Sequence, residues 1–149
     1  MNYELRGITT EELNYKLNRV QIAPNQRLDI KPQFSRQVRK PNDNKKIVFV
    51  NLAVKIESTA TDPKPFDLLA SLVGIFELEK EEYTPQEEKE FVISATAALY
   101  PYLRTSVASL TAQAYVAPIN LPIITGPIFP EDKQDNGGSG YRFVPGDVN

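Results

Sequence analysis

Between Ile47 and Ile56 the chain alternates: Val48, Val50, Leu52, Val54 and Ile56 share one face at period two, while Ile47 and Phe49 make the start of the opposite face apolar. This is the pattern of a strand partly covered on both sides. The segment 65–78 behaves the same way, with Phe66, Leu68, Ala70, Leu72 and Phe76 on one face and Leu69, Val73 and Ile75 on the other. Ser58 to Pro65, carrying Asp62-Pro63, reads as the hairpin connection between them. Upstream, Leu13, Tyr15 and Leu17 alternate weakly before the parity changes at Val20 and Ile22, which predicts a bulged strand over 13–23. Leu28, Ile30, Phe34 and Val38, among basic residues and close to Pro32 and Pro41, predict a ragged edge strand over 28–38. Pro41-Asn42-Asp43-Asn44 is then a turn by composition.

The period changes at Thr84. Thr84-Pro85-Gln86-Glu87 combines an N-cap hydroxyl, proline at the first helical position and a glutamate three residues on, which is a capping box. Acids between Glu77 and Glu90 suit the positive end of a helix dipole. The helix is predicted from Pro85 to about Tyr115, kinked at Pro101, whose ring removes the hydrogen bond to the Ala97 carbonyl. One apolar stripe runs through Leu99, Leu103, Val107, Leu110 and Ala114, a second through Phe91, Ala95, Ala98 and Tyr102. That is too much apolar circumference for one neighbour. A core helix on its own sheet uses one stripe; a helix held between its own sheet and a second protomer uses both.

After the helix, Ala117-Pro118-Ile119-Asn120-Leu121-Pro122-Ile123-Ile124 is apolar and kept extended by its prolines. Gly126, Pro127 and Pro130 bar a further helix. From Glu131 to Asn149 the chain is polar, with Asn136-Gly137-Gly138-Ser139-Gly140 at its centre, so the expected organisation is one domain over 1–130 and a flexible tail over 131–149.

Composition narrows the chemistry. With 149 residues there is room for one core. Histidine and cysteine are absent, which removes imidazole bases, thiol nucleophiles, the usual zinc ligands and disulfides. No spacing nominates a carboxylate pair or a serine–lysine arrangement, so an enzyme is not expected. No apolar run reaches the ~20 residues of a membrane span and the N-terminus lacks a signal-peptide pattern, which predicts a cytoplasmic protein without membrane insertion. Residues 1–55 hold 11 Lys or Arg against 5 acids and residues 56–149 hold 6 against 14. The positive residues are scattered, so this asymmetry reads as complementarity between halves or protomers rather than as a nucleic-acid footprint.

Three segments, taken in order, resemble a known family. Gly74-Ile75-Phe76, then Leu99-Tyr100-Pro101-Tyr102-Leu103-Arg104, then Ile119-Asn120-Leu121 are similar to the Gly-Ile-Phe, Leu-Phe-Pro-Tyr-Ala-Arg and Leu-Asn-Leu segments of SecB export chaperones, over about residues 46–124. The resemblance implies an α+β fold: a four-stranded antiparallel sheet followed by one long helix, assembled as a dimer or tetramer. It further implies a holdase that binds unfolded or precursor polypeptides without ATP or any cofactor, with SecA or an antitoxin as further partners. Three departures stand out. The prolines after the helix leave no counterpart of the family's second helix, Leu69 falls where the family carries an acid that docks SecA, and the tail is not acidic.

On this reading the client-binding candidates are Phe49, Phe76, Tyr100, Tyr115, Val116, Ile119, Leu121 and Ile123, with core packing as the alternative, evenly balanced for Phe49 and Phe76. The oligomer-interface candidates are Phe91, Ala95, Leu99, Tyr102, Leu103, Arg104 and Leu110. The rival function is a SecB-like oligomeric regulatory protein with one dedicated partner and no general client binding.

Overall fold

The computed structural model describes residues 2–20, 30–124, 126–132 and 147–148. In chain order these form β1 (Tyr3–Leu17), β2 (Gln33–Arg39), β3 (Ile47–Ile56), β4 (Phe66–Leu78), α1 (Pro85–Gln113), a 3-10 turn (Pro130–Asp132) and a two-residue β5 (Asp147–Val148). The sheet is antiparallel throughout, in the order β1-β4-β3-β2-β5. Tight connections therefore make β2, β3 and β4 neighbours, and β1 lies on the far side of β4.

β3 and β4 form where their alternation places them. Val50 pairs with Gly74, Leu52 with Leu72 and Val54 with Ala70, so the even-numbered residues of both strands share one buried face. β1 differs from expectation: it begins at Tyr3, ten residues earlier, and pairs with β4 along its whole length. Its irregularities lie at Leu5/Gly7 and Thr10/Glu12, and the expected one at Ile22 falls outside the described residues. Backbone pairing to a long partner, rather than apolar alternation, holds Thr9 to Glu12 in the strand. Leu28 also lies outside the described residues, and β2 itself is the shorter Gln33–Arg39.

α1 starts as its capping box directs: the Thr84 hydroxyl accepts from the Glu87 amide at 3.2 Å and the Glu87 carboxylate accepts from the Thr84 amide at 3.1 Å. It continues through Pro101 to Gln113. Phe91, Val92, Ala95, Leu99, Leu103 and Val107 are buried against the even face of the sheet. Four of these, Phe91, Ala95, Leu99 and Leu103, were candidates for a protomer interface. At 1% exposure or less they offer no surface to a second chain, and the intrachain core claims them instead. Gly74 explains how closely the helix approaches, since an ideal Cβ there would stand 2.7 Å from Leu99 Cδ2. Tyr3, Phe76 and Phe91 close this end of the core as edge-to-face rings 5.0–5.6 Å apart.

Part of the helix surface that the sheet leaves open is covered by the chain's own continuation, while Tyr102 of the second stripe stays exposed. Residues 116–124 and 126–132, called the strap below, return beside α1 and put Leu121 and Phe129 into the core cluster. Asp132 is also buried, at 4% exposure, so the packed domain reaches at least residue 132 rather than ending at 130. The glycine-rich stretch 136–140 lies outside the described residues, and β5 pairs with Gln37 and Val38 on the outer edge of β2.

Candidate functional site

The strap is irregular backbone, so its polar groups need side-chain partners. Along its first half these come from α1. Thr111 Oγ1 accepts the Ile119 amide at 2.9 Å, Arg104 Nε donates to the Leu121 carbonyl at 2.9 Å, and the Tyr100 hydroxyl donates to the Pro122 carbonyl at 2.7 Å. Burial pushes the Tyr100 hydroxyl above its ordinary pKa, against the opposing charge of Arg104, so it stays a donor through the physiological range.

At its far end the strap is held by charge. Arg36, on the buried face of β2, is 1% exposed and forks onto both carboxylate oxygens of Asp132, with Nη2 to Oδ1 at 3.0 Å. Its Nη1 also donates to Thr96 Oγ1 on α1 at 3.0 Å, and the guanidinium lies 4.4 Å from the centroid of the Phe129 ring. Glu131 adds a longer contact at 3.9 Å. Three elements thus meet on one cation. A buried pair needs its desolvation offset by hydrogen bonds, and the bidentate fork and Thr96 supply part of that offset through Nη1 and Nη2.

Between those two anchorages the strap sits loosely. A cavity of about 200 Å³ separates it from α1, lined by Ile93, Thr96, Ala97, Ile124 and Ile128 and reaching Asp132. A smaller one of about 90 Å³ continues toward Tyr100, Pro101 and Ile123. Together they form a partly open apolar cleft between strap and helix. On the open face of the sheet a separate groove of about 370 Å³ is lined by Arg39, Lys40, Pro41, Phe49 and Val73.

The candidate client residues separate accordingly. Tyr115 is 98% exposed and carries a left-handed backbone (φ 61°) at the end of the helix, and Ile123 is 77% exposed on the strap. Val116 and Ile119 are half-buried, and Phe49 is half-buried in the open-face groove. Phe76, Tyr100 and Leu121 are corrected: all three are buried, Phe76 beneath the aromatic cluster, Tyr100 and Leu121 where strap meets helix. Of the interface candidates, Tyr102 is 52% exposed on the outer side of α1, Leu110 is half-buried and packed against the core, and Arg104 is taken up by the strap. Arg36, Thr96 and Asp132 were not anticipated from the sequence. A lone buried arginine in a strand of otherwise basic character has no local signature, since its partner lies 96 residues away.

Among the described residues no group of three or more Asp or Glu side chains could hold a metal ion, and no helix is long and apolar enough to cross a membrane. A sheet backed by one helix, with an extended apolar strap beside that helix, is the architecture of a small α+β protein. The chain belongs to the SecB family: the family model described as preprotein translocase subunit SecB matches residues 12–131. The fold is similar to that of the Mycobacterium tuberculosis SecB-like chaperone Rv1957, solved in complex with a ChAD peptide from the Rv1956 HigA1 antitoxin. TM-score is 0.64 at 21% identity, with 83% of this chain and 88% of that one covered. A protein of unknown function from Streptococcus agalactiae aligns with TM-score 0.48 at 12% identity, over 83% of this chain and 98% of that one. No curated protein matches the chain.

Proposed function

We propose that the protein is an ATP-independent holdase that binds extended or partly folded apolar polypeptides along the seam between α1 and the strap. One observation carries this reading. The fold already holds such a polypeptide in cis, because residues 116–124 are apolar, proline-punctuated and without regular structure, yet lie against the helix through side-chain hydrogen bonds to the Ile119 amide and the Leu121 and Pro122 carbonyls. Contacts of that kind do not read sequence. Each apolar side chain fully buried is worth roughly 1.5–3 kcal/mol, so several shallow contacts with Tyr115, Val116, Ile123 and the seam suffice for micromolar binding.

The antitoxin peptide held by the mycobacterial chaperone makes a single dedicated client the second reading, and here the seam's occupation by the strap favours a narrower range of partners. Delivery to SecA would need a dock other than the sheet position of Leu69, which is half-buried and paired with Lys55. Association of protomers in the cytoplasm would use the surfaces α1 leaves open, with Tyr102 among them.

The deciding measurement is light scattering after size exclusion, with and without several unrelated unfolded chains and no nucleotide, alongside their aggregation rates. The holdase reading expects a dimer or tetramer that takes up mass with each client and slows aggregation, and loses both effects in Tyr115→Ser/Ile123→Ser. A chain indifferent to all of them that captures one stoichiometric partner would instead establish the dedicated-partner protein.

A further inference from the structure

The face of the sheet turned away from α1 carries the groove lined by Arg39, Lys40, Pro41, Phe49 and Val73, about 370 Å³ in volume. Strand register builds it. Arg39 pairs with Phe49 and Phe49 with Ile75, and in the next row Gln37 pairs with Asn51 and Asn51 with Val73, so these side chains all rise from the odd-numbered face. Phe49, Val73 and Ile75 are half-buried and make an apolar shelf. Gly7 stands opposite Ile75 on β1 and adds no cover, since a Cβ there would meet nothing within 4 Å. Charge at the shelf is one-sided. Arg39 is exposed and makes no ion pair among the described residues, and Lys40 beside it has Nζ 3.5 Å from the Glu81 carbonyl. Two acids of the same face are already held, Glu77 by Arg6 at 3.0 Å and Glu11 by Asn51 at 3.2 Å and Ser71 at 3.0 Å.

We propose that this groove is a docking site for a partner protein that presents an acidic apolar segment, with a large apolar side chain on the shelf of Phe49, Val73 and Ile75 and an Asp or Glu beside it on Arg39. Charge complementarity fixes the occupant. A purely apolar segment would cover Arg39 without a counter-charge, and a basic one would be repelled by Arg39 and Lys40, whereas a carboxylate matches the guanidinium fork. The groove spans two rows of β2, β3 and β4, enough for one or two side chains of a short motif and too small for the length of an extended client. It also lies across the sheet from α1 and the strap, so a segment held here and a polypeptide in the seam do not compete. Rim charges of this kind act on orientation and encounter rate more than on affinity, which suits a partner that engages and releases. The dock stands independently of the holdase reading.

The test uses short synthetic peptides on the full chain, each carrying a photoreactive benzoylphenylalanine followed by Asp, Asn or Lys. Binding is read by the anisotropy of a terminal dye and position by mass spectrometry of the cross-links. The Asp peptide is expected to cross-link to β3 or β4 at the shelf and to bind at least about threefold more tightly than the Asn peptide at low salt, the size of a good exposed guanidinium–carboxylate pair. The Lys peptide should bind least. Salt at about 0.5 M should erase the preference, since screening then acts within a few ångströms. Arg39→Glu should fold normally, because the side chain is exposed, and should reverse the order so that the Lys peptide binds best. Tyr115→Ser/Ile123→Ser should change none of this. A preference below about threefold on the unaltered chain, an unreversed order in Arg39→Glu, or cross-links on α1 or the strap overturn the proposal. Loss of peptide binding as the protein's own concentration rises overturns it too, by giving the groove to a second copy. None of these outcomes bears on client protection, which tests the holdase reading separately.

Discussion

Gly74 is the point where sheet and helix come closest, and a methyl group placed there has a calculable effect. A Cβ would stand 2.7 Å from Leu99 Cδ2, 2.8 Å from Phe76 Cε2 and 3.1 Å from Leu99 Cδ1, whereas nonbonded carbons settle at about 3.5–4.0 Å. Leu99 and Phe76 are both fully buried, so neither side chain can swing into solvent. The helix must move out or Leu99 must leave its rotamer, and such overpacking destabilises by about 1–3 kcal/mol. Leu99→Ala alone removes two of the three close atoms, leaving Phe76 Cε2, and opens a cavity, at about 2–5 kcal/mol. In Gly74→Ala/Leu99→Ala the new methyl and the Phe76 ring can both shift into space that Leu99 has vacated, so the double variant should fall short of the sum of the singles by about 1 kcal/mol. Urea denaturation of the four chains, compared at constant slope, gives the three differences. Additivity within about 0.5 kcal/mol would refute the reasoning, because Leu99 would then not be the group that faces Gly74.

Three further expectations use the same logic. Arg36→Met alone should destabilise by about 3–5 kcal/mol by stranding the Asp132 carboxylate, whereas Arg36→Met/Asp132→Leu should recover most of that loss; denaturant midpoints decide, and equal losses in both would show that the pair is not the anchorage described. Tyr115→Ser and Ile123→Ser should each leave stability within about 0.5 kcal/mol, since both side chains face solvent, while lowering client protection; a cooperative loss of stability would place them in a packed interface. Glu87 is held below its ordinary value of 4.5, chiefly by the Thr84 backbone amide and then by the Thr84 hydroxyl. A depressed carboxylate contributes its stability above the unfolded value and loses it as pH falls through the lowered one. Helix stability followed by circular dichroism should therefore decline on acidification below about pH 4.5, with the Glu87 share of that decline absent in Glu87→Gln.

Local chemistry determined the parts of this protein that depend on near neighbours in the chain. Val48 to Ile56 alternate because a strand shows its residues to opposite sides, and Thr84 to Glu87 carry both halves of a reciprocal cap within four positions; strand and helix start follow directly. The Gly-Ile-Phe, Leu-Tyr-Pro-Tyr-Leu-Arg and Ile-Asn-Leu segments pointed to the family, which the match over 12–131 shows. The apolar excess of α1 was legible too, but not what satisfies it. Periodicity states that two stripes need cover, and a second protomer and the chain's own strap are equivalent at that level. Tertiary structure decided that Phe91, Ala95, Leu99 and Leu103 are buried in the core with β3 and β4 and that residues 116–124 and 126–132 cover part of the remaining helix surface. It alone also brought Arg36, Thr96 and Asp132 together. A buried ion pair is a property of distance in space, and side chains 60 and 96 residues apart leave no periodic trace of it in the sequence.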